Sequence, residues 1–227
     1  MTAPAGDRAW TLAIETGGRT ASVAVAVRGA APRRLVLDGP RADVARFLLP
    51  TIDELARDAG LARADLSRIA LGVGPGSFTG LRIGAAAARV LAAASGAELA
   101  PHASTLAMAA AAPSAATKVG VALDALRGDL AIAIYERAGA FPREIAAPRL
   151  VPGREAAALL AGCESIVCDR PEAVGRALGA PLEIRPVVAD AAVLLELDRA
   201  GAPPRARPVP IYLRASAAEE RARNAGV

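Results

Sequence analysis

The sequence predicts an α/β fold built from two similar lobes, because one pattern of residues occurs twice. A short apolar run ends in a carboxylate, Glu15 in the first half and Asp124 in the second, and a glycine-containing turn follows each. The two carboxylates lie 109 residues apart, and the same offset places the apolar residues 21–26 on residues 130–135. Alternating strand and helix patterns follow both hairpins, which is typical of an internally duplicated α/β chain. We therefore expect one lobe at residues 1–113 and a second at residues 114–227.

Apolar periodicity gives the elements of the first lobe in order. We expect a hairpin of two strands, a third strand that Asp38, Gly39 and Pro40 terminate, and then a helix that Pro50 kinks or splits. A strand, a long helix with Gly96 as its C-cap and an alanine-rich helix complete the lobe. The predicted spans are 11–15, 22–27, 34–37, 42–59, 69–73, 79–95 and 104–112.

The second lobe repeats the hairpin and continues with helices and one strand. The predicted spans are 121–124, 130–135, 154–160, 165–168, 172–178 and 189–200. The rest of the chain, residues 201–227, is rich in proline and arginine, and we expect order there only at residues 211–213. Its arginines are expected to be solvated rather than bound to RNA. They are Arg205, Arg207, Arg214, Arg221 and Arg223, together with Arg199 just before the segment.

Composition limits the classes of protein to which this chain can belong. Apolar residues make up 53% of the 227 residues, which excludes disorder as the main state, while aromatic residues make up only 3%. No uncharged apolar stretch reaches 18 residues, and the N-terminus lacks the pattern of a signal peptide, so we expect a cytoplasmic protein. The net charge of +4 is spread along the chain and is weak evidence for contact with RNA.

The most specific stretch is residues 72–84, Gly-Val-Gly-Pro-Gly-Ser-Phe-Thr-Gly-Leu-Arg-Ile-Gly. It lacks the GK[ST] of a phosphate-binding Walker loop and the third glycine of a dinucleotide fingerprint. Its first glycines favour a sharp exit from a strand, and Ser77 and Thr79 are good helix N-caps. Small residues then recur every four positions at Gly80, Gly84, Ala88 and Ala92, which predicts a flat helix face open to close approach by another helix.

This stretch resembles, almost residue for residue, the GPGSFTGLRIG signature of the bacterial TsaB (YeaZ) family. Residues 48–55, the turn at 124–128 and residues 210–214 also resemble the family, so the likeness covers nearly the whole chain. Glu15 stands where members carry Asp, and the His that members carry near position 44 is missing.

The resemblance implies a duplicated actin-like (ASKHA, ribonuclease H-like) α/β fold of two lobes. It implies a non-catalytic subunit that pairs with a TsaD-like actin-fold catalytic subunit, joined by a TsaE-like ATPase. That complex transfers threonylcarbamoyl to N6 of the tRNA adenosine 3′ of the anticodon. We expect tRNA to be bound through the complex, no cofactor, no membrane, and a possible homodimer when the protein is alone.

The partner interface is predicted on two helices whose apolar surface exceeds what one sheet can cover. On the first helix the residues are Val44, Leu48, Leu49, Ile52, Leu55 and Ala56. On the second they are Gly80, Ile83, Gly84, Ala87, Ala88 and Leu91.

An enzyme is the alternative. In actin-like ATPases and sugar kinases, acidic residues at the positions of Glu15 and Asp124 hold a metal or a water beside ATP, and the glycine-containing turn at residues 16–20 could wrap a phosphate. The second turn offers only one glycine, Gly128, so the acids could equally be remnants of the duplicated fold.

Other chemistry has little support in the sequence. The single histidine, His102, cannot form a metal pair, and we interpret it as structural or solvent-exposed. Cys163 and Cys168 lie five apart, which fits neither a redox pair nor a zinc site, so we expect reduced structural thiols. Ser77 is interpreted as a cap rather than a nucleophile.

Overall fold

The computed structural model describes residues 9–37, 43–113 and 115–214, and these form two five-stranded sheets of the same design. The strand orders are β3-β2-β1-β4-β5 and β8-β7-β6-β9-β10, and in both the first three strands are antiparallel and the last two join in parallel. The strands of the first sheet are β1 Trp10–Glu15, β2 Ala21–Val27, β3 Arg33–Leu37, β4 Leu66–Gly72 and β5 Glu98–His102. Those of the second are β6 Lys118–Asp124, β7 Asp129–Glu136, β8 Arg143–Pro152, β9 Ser165–Cys168 and β10 Ile184–Pro186. The predicted duplication is confirmed, and each half reads βββαβαβα.

Six α-helices occupy equivalent places in the two halves of the described chain. They are α1 Val44–Asp58, α2 Phe78–Ser95, α3 Ser104–Ala110, α4 Gly153–Leu160, α5 Pro171–Leu178 and α6 Ala191–Arg199. The pair α1 and α2 covers one face of the first sheet, and α4 and α5 cover one face of the second. The third helices are exchanged: α3 packs on strands of the second sheet and α6 on strands of the first, and the two contact each other. The lobes therefore share a central core, and the boundary predicted near residue 113 stays a prediction.

Three apolar cores follow from this arrangement. The outer core of the first lobe lies between its sheet and α1 and α2, and that of the second lies between its sheet and α4 and α5. The central core is rich in alanine and joins α3 and α6 to the inner faces of both sheets. Because alanine has a short side chain, the layers approach closely, which suits a chain with few aromatic residues.

Several sequence predictions need correction. Pro50 lies inside α1, yet the helix runs unbroken from Val44 to Asp58, which contradicts the predicted split; the predicted kink stays a prediction. Sequence reasoning missed β8 and β10 and gave no span for β5, which contains Pro101. Pro101 is tolerated because β5 is an edge strand. The predicted stop at Asp38, Gly39 and Pro40 lies outside the described residues, as does Ala42, the predicted first residue of α1.

Helix length and composition also bear on membrane association. Within the described ranges, every helix is too short or too polar to cross a lipid bilayer.

Candidate functional site

A cavity lies between the lobes, where the two hairpins face each other. It encloses about 520 Å³. The first lobe contributes the turn after β1 and the start of α2, and the second contributes Asp124, the turn after it and Arg170. The C-terminal residues 211–214 close one side. The sequence prediction that both hairpin turns meet at one cleft is therefore correct.

The signature stretch packs directly against the turn after β1. The Ser77 N–H donates to the Gly17 carbonyl at 2.8 Å, and the Ser77 hydroxyl accepts from the Gly80 N–H at 3.2 Å, so Ser77 is the N-cap of α2, as predicted. A β-carbon at Gly76 would overlap with the Gly17 carbonyl, and one at Gly80 would overlap with the Thr16 carbonyl. The glycines of the signature thus let the turn lie on the start of the helix.

This packing corrects the prediction about the small-residue face of α2. Gly80 and Gly84 are not open to a partner helix, because Thr16 covers both. The Thr16 carbonyl lies over Gly80, and the Thr16 Oγ1 lies over Gly84. Ala88, one turn further, is fully buried in the lobe's own outer core. Gly96 ends α2 as a left-handed C-cap, as predicted.

Glu15 ends β1, directly before the turn that lines the cleft, and is fully buried. Its Oε1 accepts from the Gly17 N–H at 2.7 Å, whereas Oε2 has no hydrogen-bond partner in the described part of the chain. A β-carbon at Gly72 would overlap with this carboxyl group, so Gly72 leaves the space for it. Burial raises the pKa of Glu15 above its ordinary value, which favours the neutral acid.

The raised pKa predicts how stability varies with pH. A folded-state pKa above the unfolded value means that the contribution of Glu15 is complete below about pH 4.5 and is lost as the pH rises through the raised pKa. We expect the melting temperature of Glu15→Gln, which keeps a neutral side chain, to fall less than that of the wild type as the pH rises. Thermal melts from roughly pH 4 to roughly pH 9 measure this difference. Glu54→Gln, which changes an exposed carboxylate, is the control. If the melting temperatures of Glu15→Gln and the wild type depended equally on pH, the raised pKa of Glu15 would be contradicted.

Asp124 differs from Glu15 in its surroundings. Its Oδ1 accepts from the Leu126 N–H at 2.9 Å, and its Oδ2 accepts from Arg170 Nη1 at 3.1 Å. The turn that follows is tight, since Leu126 and Arg127 have positive φ values of 66° and 59°. The carboxylate therefore caps its own turn and pairs with an arginine that sequence reasoning did not single out.

The outer surface of α1 and α2 is the second candidate region. Both helices lie on the same face of the first sheet and pack against each other. Most of the residues predicted for the interface are buried in the lobe's own core: Val44, Leu48, Ile52, Leu55, Ala56, Gly80, Gly84, Ala87 and Ala88. Ile83 and Leu91 are partly buried, and Leu49 alone of the set is exposed.

Large apolar side chains nevertheless face outward from these two helices. Phe47 is 43% exposed, Leu49 45% and Val90 62%. The Arg46 guanidinium lies over the Phe47 ring, 5.0 Å from its centroid. Helical spacing places Phe47 and Val90 on the apolar stripes of their helices, but spacing cannot distinguish the edge of a stripe from its centre. Large exposed apolar side chains on two adjacent helices form a candidate protein-binding surface.

His102 and the cysteines are structural groups away from the cleft. His102 ends β5 and is fully buried rather than exposed, with Nε2 3.0 Å from Asp198 Oδ1. Cys163 and Cys168 are both free thiols, the second one buried, and burial raises the pKa of each. Among the described residues, no three His, Cys, Asp or Glu side chains are grouped to hold a metal ion.

The chain is similar to proteins of known families. A family model described as "TsaD: tRNA N6-adenosine threonylcarbamoyltransferase" matches residues 43–159, just over half of the chain. The "tRNA threonylcarbamoyladenosine biosynthesis protein TsaB" of Escherichia coli K12 is 37% identical over 130 residues, which cover 56% of this chain and 54% of that protein. The protein of the same name from Haemophilus influenzae Rd is 38% identical over 81 residues, 36% of this chain and 34% of that one. The matched regions thus span about half or less of these relatives.

Two solved structures are similar over nearly the whole chain. "YeaZ from Pseudomonas aeruginosa" has a TM-score of 0.74 at 24% identity and covers 90% of this chain and 100% of its own. "An uncharacterized protein with similarity to peptidase YEAZ from Pseudomonas aeruginosa" has a TM-score of 0.76 at 26% identity and covers 91% and 100%. Together with the two equivalent sheets, these likenesses confirm the predicted duplicated actin-like α/β fold.

Proposed function

We propose that the chain, which belongs to the TsaB (YeaZ) family, is a non-catalytic subunit in tRNA threonylcarbamoyladenosine biosynthesis. This family lies within the wider TsaD-type threonylcarbamoyltransferase family, whose model matches half of the chain. Its partner is a TsaD-like actin-fold catalytic subunit, a TsaE-like ATPase joins them, and tRNA is bound through the complex. The observation that carries the proposal is the exposed apolar surface of α1 and α2, which we call the outer helix surface: Phe47, Leu49 and Val90.

The outer helix surface has the composition of a protein interface. Its apolar side chains are large, and arginines flank them, with Arg46 beside Phe47 on α1 and Arg89 beside Val90 on α2. Aromatic residues and arginine are enriched where proteins bind each other. The buried side chains of the same helices fix the two helices to the sheet, so the surface is presented on a rigid layer. An interface of ordinary size would cover about 800 Å² of this chain.

The state of the cleft supports a binding role over an enzymatic one. An acidic residue that holds a metal or a water beside ATP must be ionised and reachable, whereas Glu15 is fully buried with a raised pKa. The turn at residues 16–20 would wrap a phosphate through backbone N–H groups, but the Gly17 N–H already donates to Glu15 Oε1. Asp124 is engaged by Arg170 and by its own turn. The alternative of an ATPase or kinase using Glu15 and Asp124 would require these contacts to be broken.

The proposal predicts that one charge on the outer helix surface weakens association without unfolding the protein. We expect Leu49→Asp and Val90→Asp to weaken binding to a TsaD-like subunit by roughly tenfold or more, because a carboxylate would be buried in an apolar contact. Binding is measured by calorimetry, and the thermal melt of each variant reports folding.

Ile145→Asp supplies a matched control, since Ile145 is 43% exposed on β8 of the other lobe. It should bind as the wild type does. Full binding by both outer-surface variants would place the interface elsewhere. Hydrolysis of ATP by the purified chain alone, lost in Asp124→Asn, would support the enzymatic alternative. Sedimentation of the same variants without a partner tests whether this surface also forms the homodimer.

A further inference from the structure

The last described segment, residues 203–214, connects two cavities on different sides of α3; we call it the C-terminal strap. Its end, residues 211–214, lines the cleft described above, which Ser104 and Met108 of α3 also line. Its beginning, residues 203–205, lines a second cavity of about 330 Å³, which Leu106 of α3 borders. Since residues 104 and 108 share one side of a helix and residue 106 faces away from them, α3 separates the two cavities.

The backbone of the strap is attached to the first lobe. The Arg205 N–H donates to the Pro101 carbonyl on β5 at 2.7 Å, and the Ile211 N–H donates to the Val73 carbonyl after β4 at 2.7 Å. The Tyr212 ring lies on the Phe78 ring at the start of α2, with centroids 4.6 Å apart. Hence the backbone contacts of the strap are with the first lobe, although the strap follows the second lobe in sequence.

The arginine side chains of the strap reach the second lobe instead. Arg205 donates to Glu144 Oε2 on β8 at 2.5 Å, and Arg214 donates to the Asp129 carboxylate on β7. All four side chains of these pairs are only 24–35% exposed. Ion pairs with this degree of shielding hold their partners better than pairs in full contact with water. This corrects the sequence expectation that Arg205 and Arg214 are simply solvated.

The two ion pairs lie on either side of α3, the element about which the lobes could rotate. Arg214 spans the lobes at the cleft, and Arg205 spans them at the second cavity. Rotation that widens the cleft would separate Arg214 from Asp129, and rotation in the other sense would separate Arg205 from Glu144. We propose that the strap is a clamp that fixes the angle between the lobes, and that release of its two arginines lets the cleft change its opening. This inference does not depend on the proposed partner.

Single-molecule energy transfer between the lobes tests the clamp. Arg89→Cys on α2 and Arg176→Cys on α5 provide exposed labelling sites in the full chain, with Cys163→Ser to remove the more accessible native thiol; Cys168 is buried. With an intact strap we expect one narrow distribution of transfer efficiency. Arg205→Gln with Arg214→Gln should broaden it and shift its mean. Each single substitution should give a smaller change than the pair.

Two further variants decide the interpretation. Arg207→Gln should leave the distribution unchanged, because Arg207 lies in the same strap but is exposed and forms no ion pair with any described residue. Asp129→Asn with Glu144→Gln removes the same pairs from the other lobe and should reproduce the broadening, which also covers failure of the arginine variant to fold. An unchanged distribution in a folded clamp variant, or equal broadening by Arg207→Gln, would overturn the proposal.

Discussion

Gly80→Ala is expected to lower the free energy of unfolding by about 1–3 kcal/mol or more, although alanine normally stabilises a helix. Elsewhere in a helix, replacing glycine with alanine gains about 0.5–1 kcal/mol. At Gly80 the added β-carbon would overlap with the Thr16 carbonyl, which is backbone and cannot rotate away. Chemical denaturation of the variant and the wild type measures the change, and a variant as stable as the wild type would show that the turn can shift.

Gly84 provides the matched comparison. A β-carbon there would overlap with Thr16 Oγ1, a side-chain atom that is buried without a hydrogen-bond partner among the described residues. Thr16→Ala removes that atom at little cost, so it should restore most of the stability lost in Gly84→Ala. It should not rescue Gly80→Ala, where the overlap is with the carbonyl. A double-mutant cycle separates the two cases.

Much of the fold could be predicted because the duplication leaves a direct trace in the sequence. The carboxylates that end β1 and β6 and the offset of 109 residues defined both hairpins and hence the design of both sheets. β8 could not be found this way: along Arg143–Pro152 only Val151 is buried, the other positions are intermediate or exposed, and a proline stands at Pro148. The exchange of α3 and α6 between the sheets is a long-range contact that no local pattern encodes.

The candidate site shows a different limit of prediction from sequence. Spacing correctly marked the residues of α2 that need close approach, but it could not say what approaches. The approaching residues are Thr16 and Gly17. They lie about 65 residues earlier in the chain and come close to the start of α2 only when β1 pairs with β4. Likewise, Leu49 was recognised as lying off the main stripe of α1 and is exposed, whereas Phe47, at the stripe's edge, was assigned to the core. Periodicity gives the direction of a side chain, and only the neighbouring elements decide whether it is covered.

A buried polar network holds α6 on the first sheet. Asp198 of α6 accepts from Arg68 of β4 through Nε at 2.6 Å and Nη2 at 2.9 Å, and it lies 3.0 Å from His102 Nε2. The Asp198 side chain is 2% exposed. Burial by itself would raise the pKa of Asp198, but the hydrogen bonds from His102 and Arg68 outweigh burial and hold that pKa below its ordinary value.

Asp198→Ala is therefore expected to destabilise the protein by about 1–3 kcal/mol, because it removes the buried acceptor that faces Arg68 and His102, while Arg68 keeps its ion pair with Glu98. Since the folded-state pKa is lowered, the contribution of Asp198 is present above about pH 3.8 and is lost as the pH falls through the lowered value. The wild type should thus lose stability on acidification more steeply than the variant. Asp53→Asn is the control: Asp53 also binds two arginines, Arg57 and Arg63, but on the exposed surface, where water screens the pairs, so little change is expected. Equal effects of the two substitutions in denaturant titrations would mean that the network does not hold α6 in place.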